Sequence, residues 1–216
     1  MSNFQNSILN NSMNILYSLS FYAPIIICVS IFMFSMFTNT ITKAGVFFLW
    51  IFVITFLRII IFRGIGTNNS GQEMPNICLT GVSEIFIPKD ITYSTYILSF
   101  TLMYLLMPMI MLSSQSKINV INYVILAFFI FYIAFDLGIK YRLSCIGSLF
   151  SGLIIGDILS GLFLGGVIAG PLMYGTALRQ YLYINELNSN KEVCSMPSKQ
   201  QFRCSVYRNG EIIGNI

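Results

Sequence analysis

One acidic side chain interrupts a long apolar stretch of the sequence. The stretch GLIIGDILSGLFLGGVIAG (152–170) is small or apolar except at Asp157. An ionised carboxylate facing lipid costs about 2.5 to 3.5 kcal/mol, so Asp157 should face protein or water and have a partner. Arg58 is the candidate partner by depth, and Asp136 is expected to compete for it. We favour a buried pair that fixes helix register; the alternative is an anion or proton site.

Five basic residues are predicted to converge on one side of the membrane. They are Arg58, Arg63, Lys89, Lys140 and Arg142. Basic side chains near a membrane surface suit phosphate headgroups, and arginine offers a planar, bidentate fork. The alternative is that they are ordinary interfacial residues whose long stems reach the water.

The chain has no histidine, and its five cysteines form no CxxC pair. This excludes Ser-His-Asp and Cys-His catalysis, haem ligation by histidine and ordinary zinc sites, so no cofactor or metal is expected. We expect Cys28 and Cys145 to behave as small apolar residues. Cys194 and Cys204 could pair only in an oxidising compartment. A dispersed net charge of +4 argues against nucleic acid as a partner.

The elements that must position these residues are membrane spans. The 216 residues are 56% hydrophobic and 9% charged, with a mean hydropathy of +0.76, outside the balance of a soluble domain. A span needs roughly 20 apolar residues. Five runs qualify, at 17–37, 44–62, 95–112, 119–137 and 143–174. The predicted fold class is an all-α, multi-pass transmembrane helical bundle, with Pro24 kinking the first span.

Two polar regions flank this predicted transmembrane domain (15–175), which includes an outer loop at 63–91. Residues 1–14 are a polar N-terminal segment, and residues 176–216 are a soluble tail. Within the tail, QFRCSVYRNGEIIG has two β-prone arms around Asn209-Gly210, a strong hairpin signal because both turn residues accept positive φ. A short C-terminal β-hairpin is therefore predicted.

Small residues recur at every fourth position of the last apolar run. One ridge contains Ser144, Ser148, Gly152, Gly156 and Ser160, and a second beside it contains Gly161, Gly165 and Ala169. In lipid, this spacing lets another helix backbone approach closely. The run would measure about 48 Å as one helix, longer than a bilayer core of ~30 Å, so a break or a surface-lying start is expected. If the helix starts later, Asp157 moves toward the depth of Arg58.

The loops favour one orientation. With five spans, the C-terminal side carries Lys43, Lys117 and the basic residues of the tail, so the positive-inside rule favours a cytoplasmic C-terminus. The Asn-x-Ser patterns at Asn10 and Asn68 both fall on the predicted outer side. A cytoplasmic tail would leave its cysteines as free thiols.

The order of these motifs resembles the type-2 phosphatidic acid phosphatase family. FLRIIIFRG (56–64) stands in place of the family's basic motif, IPKDITYSTYILSF (87–100) in place of its Pro-Ser-Gly-His helix, IKYRLSCIGS (139–148) in place of its Arg and His motif, and DILSGLFLG (157–165) in place of its Asp-led helix. Pro88 and Arg142 match, whereas Ile91 and Ser148 replace the histidines. That family needs one histidine to accept the phosphoryl group and another to protonate the leaving alcohol. The resemblance therefore implies a catalytically inactive relative that still cradles a headgroup.

The predicted function is that of a non-enzymatic integral membrane protein with a structural or phospholipid-headgroup-interacting role. Alternatives are a small transporter or channel that uses Asp157 and an active lipid-modifying enzyme. A further alternative is a component of a viral internal membrane, because the composition and tail resemble small membrane proteins of large DNA viruses. Expected partners are membrane lipids and, through the tail, other membrane or capsid proteins.

Overall fold

The chain is described here by a computed structural model that covers residues 15–65, 78, 90–116, 121–147, 152–187, 205–208 and 211–215. The helices are α1 (Ile15–Phe21), α2 (Ala23–Phe37), α3 (Ile41–Ile65), α4 (Tyr93–Ser116), α5 (Tyr123–Arg142), α6 (Gly152–Val167), a π-helix (Ile168–Tyr174), a 3-10 helix (Ala177–Tyr181) and α7 (Ile184–Leu187). The all-α class predicted from composition is confirmed for the described residues between 15 and 187.

Two short strands lie near the C-terminus. β1 (Ser205–Arg208) and β2 (Glu211–Asn215) pair in antiparallel fashion, with a register irregularity between Val206 and Tyr207. The Asn209-Gly210 turn lies outside the described residues, so the hairpin stays a prediction. Residues 1–14, most of the 63–91 loop, and both tail cysteines also lie outside them.

Within the described ranges, four helices are long and apolar enough to cross a membrane. They cover Ile41–Ile60, Tyr93–Gln115, Tyr123–Arg142 and Gly152–Tyr174. The pair α1 and α2 passes the same test together but is bent by 79°, which makes up to five spans if the pair counts as one. The bend precedes Pro24, in the first turn of α2, where a missing N–H costs no helical hydrogen bond. The first apolar run is therefore not one straight helix.

Two helices end in the same hydrogen-bonded turn. After α2, Asn39 has φ 56° and the Thr40 amide donates to the Ser35 carbonyl at 2.8 Å. After α5, Ser144 has φ 58° and the Cys145 amide donates to the Lys140 carbonyl at 2.9 Å. This is the Schellman arrangement, in which a left-handed residue lets the next amide satisfy an orphan carbonyl.

The α4 helix forms the centre of the bundle. About 61% of its span is buried inside the protein, against 17% for the span of α5. The α6 helix packs closely on α4 at two glycines: a Cβ at Gly161 would lie 2.7 Å from the Tyr96 carbonyl oxygen, and one at Gly165 would lie 2.5 Å from that of Phe100. The second small ridge therefore makes the close helix contact.

The two glycines of the first small ridge make no such contact with the described residues. Gly152 and Gly156 are exposed, and a Cβ at either position would meet nothing within 4 Å. Ser160 is half-buried and its hydroxyl donates to the Asp157 carbonyl at 3.1 Å, while Ser148 lies outside the described residues. No described helix of this chain packs on Gly152 or Gly156, because the rotation of α6 is set by its neighbour ridge; the packing of this ridge stays a prediction.

The chain after the π-helix folds across the end of the bundle where α2 finishes and α3 starts. The Lys43 ammonium donates to the Glu186 carboxylate at 2.7 Å and to the Leu182 carbonyl at 2.9 Å. The hydroxyls of Ser35 and Tyr183 lie 2.6 Å apart. Burial raises the pKa of Tyr183, and the Ser35 hydrogen bond only partly opposes this, so its hydroxyl stays neutral at physiological pH. This end of the bundle is therefore closed by specific polar contacts.

Candidate functional site

The buried charges that the sequence pointed to lie at the end of the bundle opposite to the Lys43–Glu186 ion pair. There α3 and α5 finish, and α4 and α6 begin. The last of the four long apolar helices starts at Gly152 rather than near Leu143, because the α5 helix continues to Arg142 and is followed by a turn. This late start brings Asp157 to the depth of Arg58.

The first group of charges is the Arg58 cluster, made of Arg58, Asp90, Thr92, Tyr96 and Asp157. The guanidinium donates to both Asp90 oxygens, from Nε at 2.6 Å and from Nη2 at 2.9 Å. It donates to both Asp157 oxygens, from Nη1 at 2.8 Å and from Nη2 at 3.2 Å. Thr92 accepts another bond from Nη2 at 3.2 Å, and the Tyr96 ring lies 4.5 Å from the guanidinium carbon. One arginine thus joins three separate segments of the chain.

The burial of this cluster makes its pairing energetically important. The side chains of Arg58 and Asp90 are 10% and 1% exposed, and that of Asp157 is 19% exposed. Charge-assisted, bidentate hydrogen bonds are among the strongest in proteins. An unpaired charge at such a depth is costly. The contact between Arg58 and Asp157 predicted from sequence is present, whereas Asp90 was not anticipated as a partner.

The second group is the Asp136 cluster, made of Ser20, Ser94, Thr95, Asp136 and Lys140. Asp136 Oδ1 accepts from Ser20 at 2.6 Å. Its Oδ2 accepts from Ser94 at 2.8 Å, Thr95 at 2.7 Å and Lys140 at 2.8 Å. Asp136 and Lys140 are fully buried, and they join α5 to the first turn of α4 and to α1. The carboxylate is therefore satisfied by four donors.

This arrangement corrects two expectations. Asp136 does not compete for Arg58, because its cation is Lys140, one turn further along the same helix. Lys140 is not open to a lipid headgroup, because its ammonium is buried against that carboxylate. The four-residue spacing of Asp136 and Lys140 is the sequence signal that would have identified the pair.

The Lys140 ammonium also donates to the Ser94 hydroxyl, so a serine and a lysine lie side by side. A serine nucleophile needs a neutral base to take its proton. Here the Lys140 ammonium donates to the Asp136 carboxylate, and the Ser94 hydroxyl donates to that same carboxylate rather than to the lysine. Both side chains are buried. The pair is arranged as a structural contact rather than as a nucleophile and its base.

Of the remaining predicted headgroup residues, the structure describes only the side chain of Arg142, which does not join these clusters. Arg142 is exposed at the end of α5. The side chains of Arg63 and Lys89 lie outside the described residues. Since Arg58 is engaged by two carboxylates, Arg142 alone among the described members of that set is free to meet solvent or headgroups.

A disulfide links the 63–91 loop to the turn after α5. Cys78 and Cys145 are bonded, with their Cα atoms 5.5 Å apart. The expectation that Cys145 is merely a small apolar residue is therefore wrong, because the fold brings a cysteine 67 positions away in sequence next to it. Cys28 is a free, half-buried thiol in α2, as expected.

An apolar cavity of about 340 Å³ lies away from both clusters. It opens between α2 and α5 and is lined by side chains such as Ile27, Leu105 and Phe129. None of the described side chains that line it is charged. In the described part of the chain, no group of three or more Cys, Asp and Glu residues is placed to hold a metal ion.

Comparisons with family models, with curated proteins and with solved structures find no match to this chain.

Proposed function

We propose that this chain is a non-enzymatic, multi-pass integral membrane protein with a structural role, in which buried ion pairs hold the spanning helices in one register. Membrane lipids are its immediate partners in this proposal. Apolar helices in lipid gain little from the hydrophobic effect, so polar contacts and close packing must specify their arrangement. The two clusters supply such contacts between α1, α3, α4, α5 and α6.

The observation that supports the proposal most strongly is that the hydrogen bonds of the Arg58 guanidinium are made within the chain. All three of its nitrogens donate to oxygens of the chain itself. A headgroup phosphate would have to displace at least one carboxylate that is already bound in the same planar geometry. The site supports internal cross-linking better than ligand binding, and the lack of histidine disfavours phosphoryl transfer through a phosphohistidine.

A small transporter or channel is the second candidate, and a specific feature favours it. Asp157 is the most exposed acid of the Arg58 cluster, and two carboxylates share one arginine. Ionisable residues within membrane spans often line ion or proton pathways. This candidate therefore needs a test that separates transport from folding.

Asp157→Asn distinguishes the two candidates. The structural role predicts that the variant loses about 1 kcal/mol of unfolding free energy, because one charge-assisted bond pair is weakened while Asp90 still holds Arg58. It also predicts no proton or cation flux in proteoliposomes with either the wild type or the variant. Flux measured by a pH-sensitive dye and thermal unfolding in detergent provide the two measurements.

Ser160→Ala is the matched control, since it removes a half-buried hydrogen bond on the same helix without touching the charges. Flux that is present in the wild type and in Ser160→Ala but lost in a folded Asp157→Asn variant would overturn the structural proposal in favour of transport.

We further propose that the end carrying both clusters faces away from the cytoplasm and that the C-terminal tail, with its hairpin, is cytoplasmic. The positive-inside distribution supports this orientation. The Cys78–Cys145 disulfide supports it independently, since disulfides persist in oxidising compartments.

Glycosylation in microsomes tests the orientation. Asn10 or Asn68 should be modified, because both lie on the proposed outer side and both are followed by Ser at the second position. The measurement is a glycosidase-sensitive mass shift, with Asn10→Gln and Asn68→Gln as controls. Modification of a sequon added to the tail, instead of these two, would reverse the proposed orientation.

A further inference from the structure

The disulfide forms the centre of a small apolar cluster that is separate from the main core. Cys78, Cys145 and Phe21 are buried together, and Tyr17, Ile91 and Leu143 pack around them. We name these six residues the disulfide cap. It gathers residues from α1, from the loop, from the segment before α4 and from the turn after α5.

Three residues of the disulfide cap are adjacent or hydrogen-bonded to residues of the buried ionic clusters. Phe21 follows Ser20, which bonds Asp136. Ile91 follows Asp90, which bonds Arg58. The Cys145 amide donates to the Lys140 carbonyl at 2.9 Å. A disturbance of the disulfide cap is therefore transmitted through single covalent or hydrogen-bonded steps to both clusters.

The turn that bears Cys145 depends on one hydrogen bond. Ser144 has φ 58°, and the Cys145 amide, which follows it, donates to the Lys140 carbonyl at 2.9 Å. The disulfide fixes Cys145, so the cross-link helps to hold this hydrogen bond in place. Without the cross-link, the turn can relax and the last turn of α5, which carries Lys140, can fray.

We propose that the Cys78–Cys145 disulfide is a redox-sensitive latch that keeps Lys140 and Asp136 shielded from water. In the oxidised protein the disulfide cap is closed and the ion pair is dry. In the dithiol form the cap loosens, and the charges of the Asp136 cluster become hydrated. The device goes beyond the proposed structural role, since it makes the closed state of this end conditional on oxidation.

On the oxidising side proposed for this end the latch stays closed, and its opening requires that a dithiol reductant reach it. A thiolate of the reductant attacks one sulfur of the Cys78–Cys145 bond, and the electron pair of the broken bond leaves on the other sulfur, which takes a proton. The second thiol of the reductant then resolves the mixed disulfide. The protein ends with two thiols and the reductant ends as a disulfide. Because both cysteines are buried, attack must follow a local opening of the disulfide cap.

Acetylation of lysine by a water-soluble, amine-reactive acetyl ester tests the latch on full-length protein in detergent. Lys140 should be protected in the wild type, and its rate of modification should rise about tenfold or more in Cys78→Ser/Cys145→Ser, because the cross-link no longer opposes local opening. Peptide mass spectrometry gives the rate at each site. Lys43, paired with Glu186 at the opposite end, is the internal reference and should not change.

Cys28→Ser is the matched control, because it removes a thiol that forms no disulfide, and it should leave Lys140 protected. If the double variant does not fold, the rate of Lys140 acetylation is measured in Cys78→Ala instead. This variant also lacks the disulfide but leaves the residues of the turn after α5 unchanged. Equal protection of Lys140 in a folded variant without the disulfide would overturn the proposal. Modification of Lys140 in the oxidised wild type as fast as in that variant would also overturn it.

Discussion

Arg58→Ala should be among the most destabilising single substitutions in this protein. It leaves two carboxylates, Asp90 and Asp157, facing each other without the guanidinium that binds them both. Removal of one partner of a buried ion pair costs about 3 to 5 kcal/mol. For a chain of this size, that corresponds to a fall in melting temperature of about 10 °C. Thermal unfolding of the purified protein, followed by circular dichroism in detergent, measures the fall.

Two further variants show whether charge pairing is the cause. Arg179→Ala removes an exposed arginine that lies 4.3 Å from the Tyr174 ring, and should cost at most about 1 kcal/mol. The addition of Asp90→Asn and Asp157→Asn to Arg58→Ala should recover part of the lost stability, because the unpaired charges are gone. Equal melting temperatures for Arg58→Ala and Arg179→Ala would show that the Arg58 cluster does not hold the helices together.

Gly165→Ala should destabilise the contact between α6 and α4. The added methyl group would lie 2.5 Å from the Phe100 carbonyl oxygen and 3.0 Å from the Tyr104 amide nitrogen. These are backbone atoms, so relief requires one helix to move away from the other. Overpacking of this kind costs about 1 to 3 kcal/mol. The measurement is the unfolding free energy from denaturant titration in detergent micelles.

Gly156→Ala makes the same chemical change on the same helix and is its matched control. A methyl group at Gly156 would meet nothing within 4 Å. Its effect should be neutral or a gain of about 0.5 to 1 kcal/mol, since alanine favours helix over glycine. If Gly156→Ala destabilises the protein as much as Gly165→Ala, then α6 does not use its second small ridge for packing.

The candidate site could be predicted only in part from the sequence. Asp157 and Arg58 could be paired in advance, because a charge in an apolar run needs a partner and depth along a helix follows from residue number. Asp90 could not be identified in advance as a second partner of Arg58, since it lies outside any predicted span and beside other polar residues. Lys140 was assigned to the surface because it lies near the end of its apolar run, whereas the fold buries it on Asp136.

The sequence alone determined that the chain is α-helical with helices long enough for a membrane, because apolar length and composition are local properties. The sequence also determined that Asp157, an acid within an apolar run, must be paired with a cation in the fold. Only the tertiary structure decided which side of α6 meets α4, since a helix that is apolar all round has no periodic signal for its buried face. The Cys78–Cys145 bond was likewise decided by the fold, because it depends on how two segments 67 residues apart are brought together.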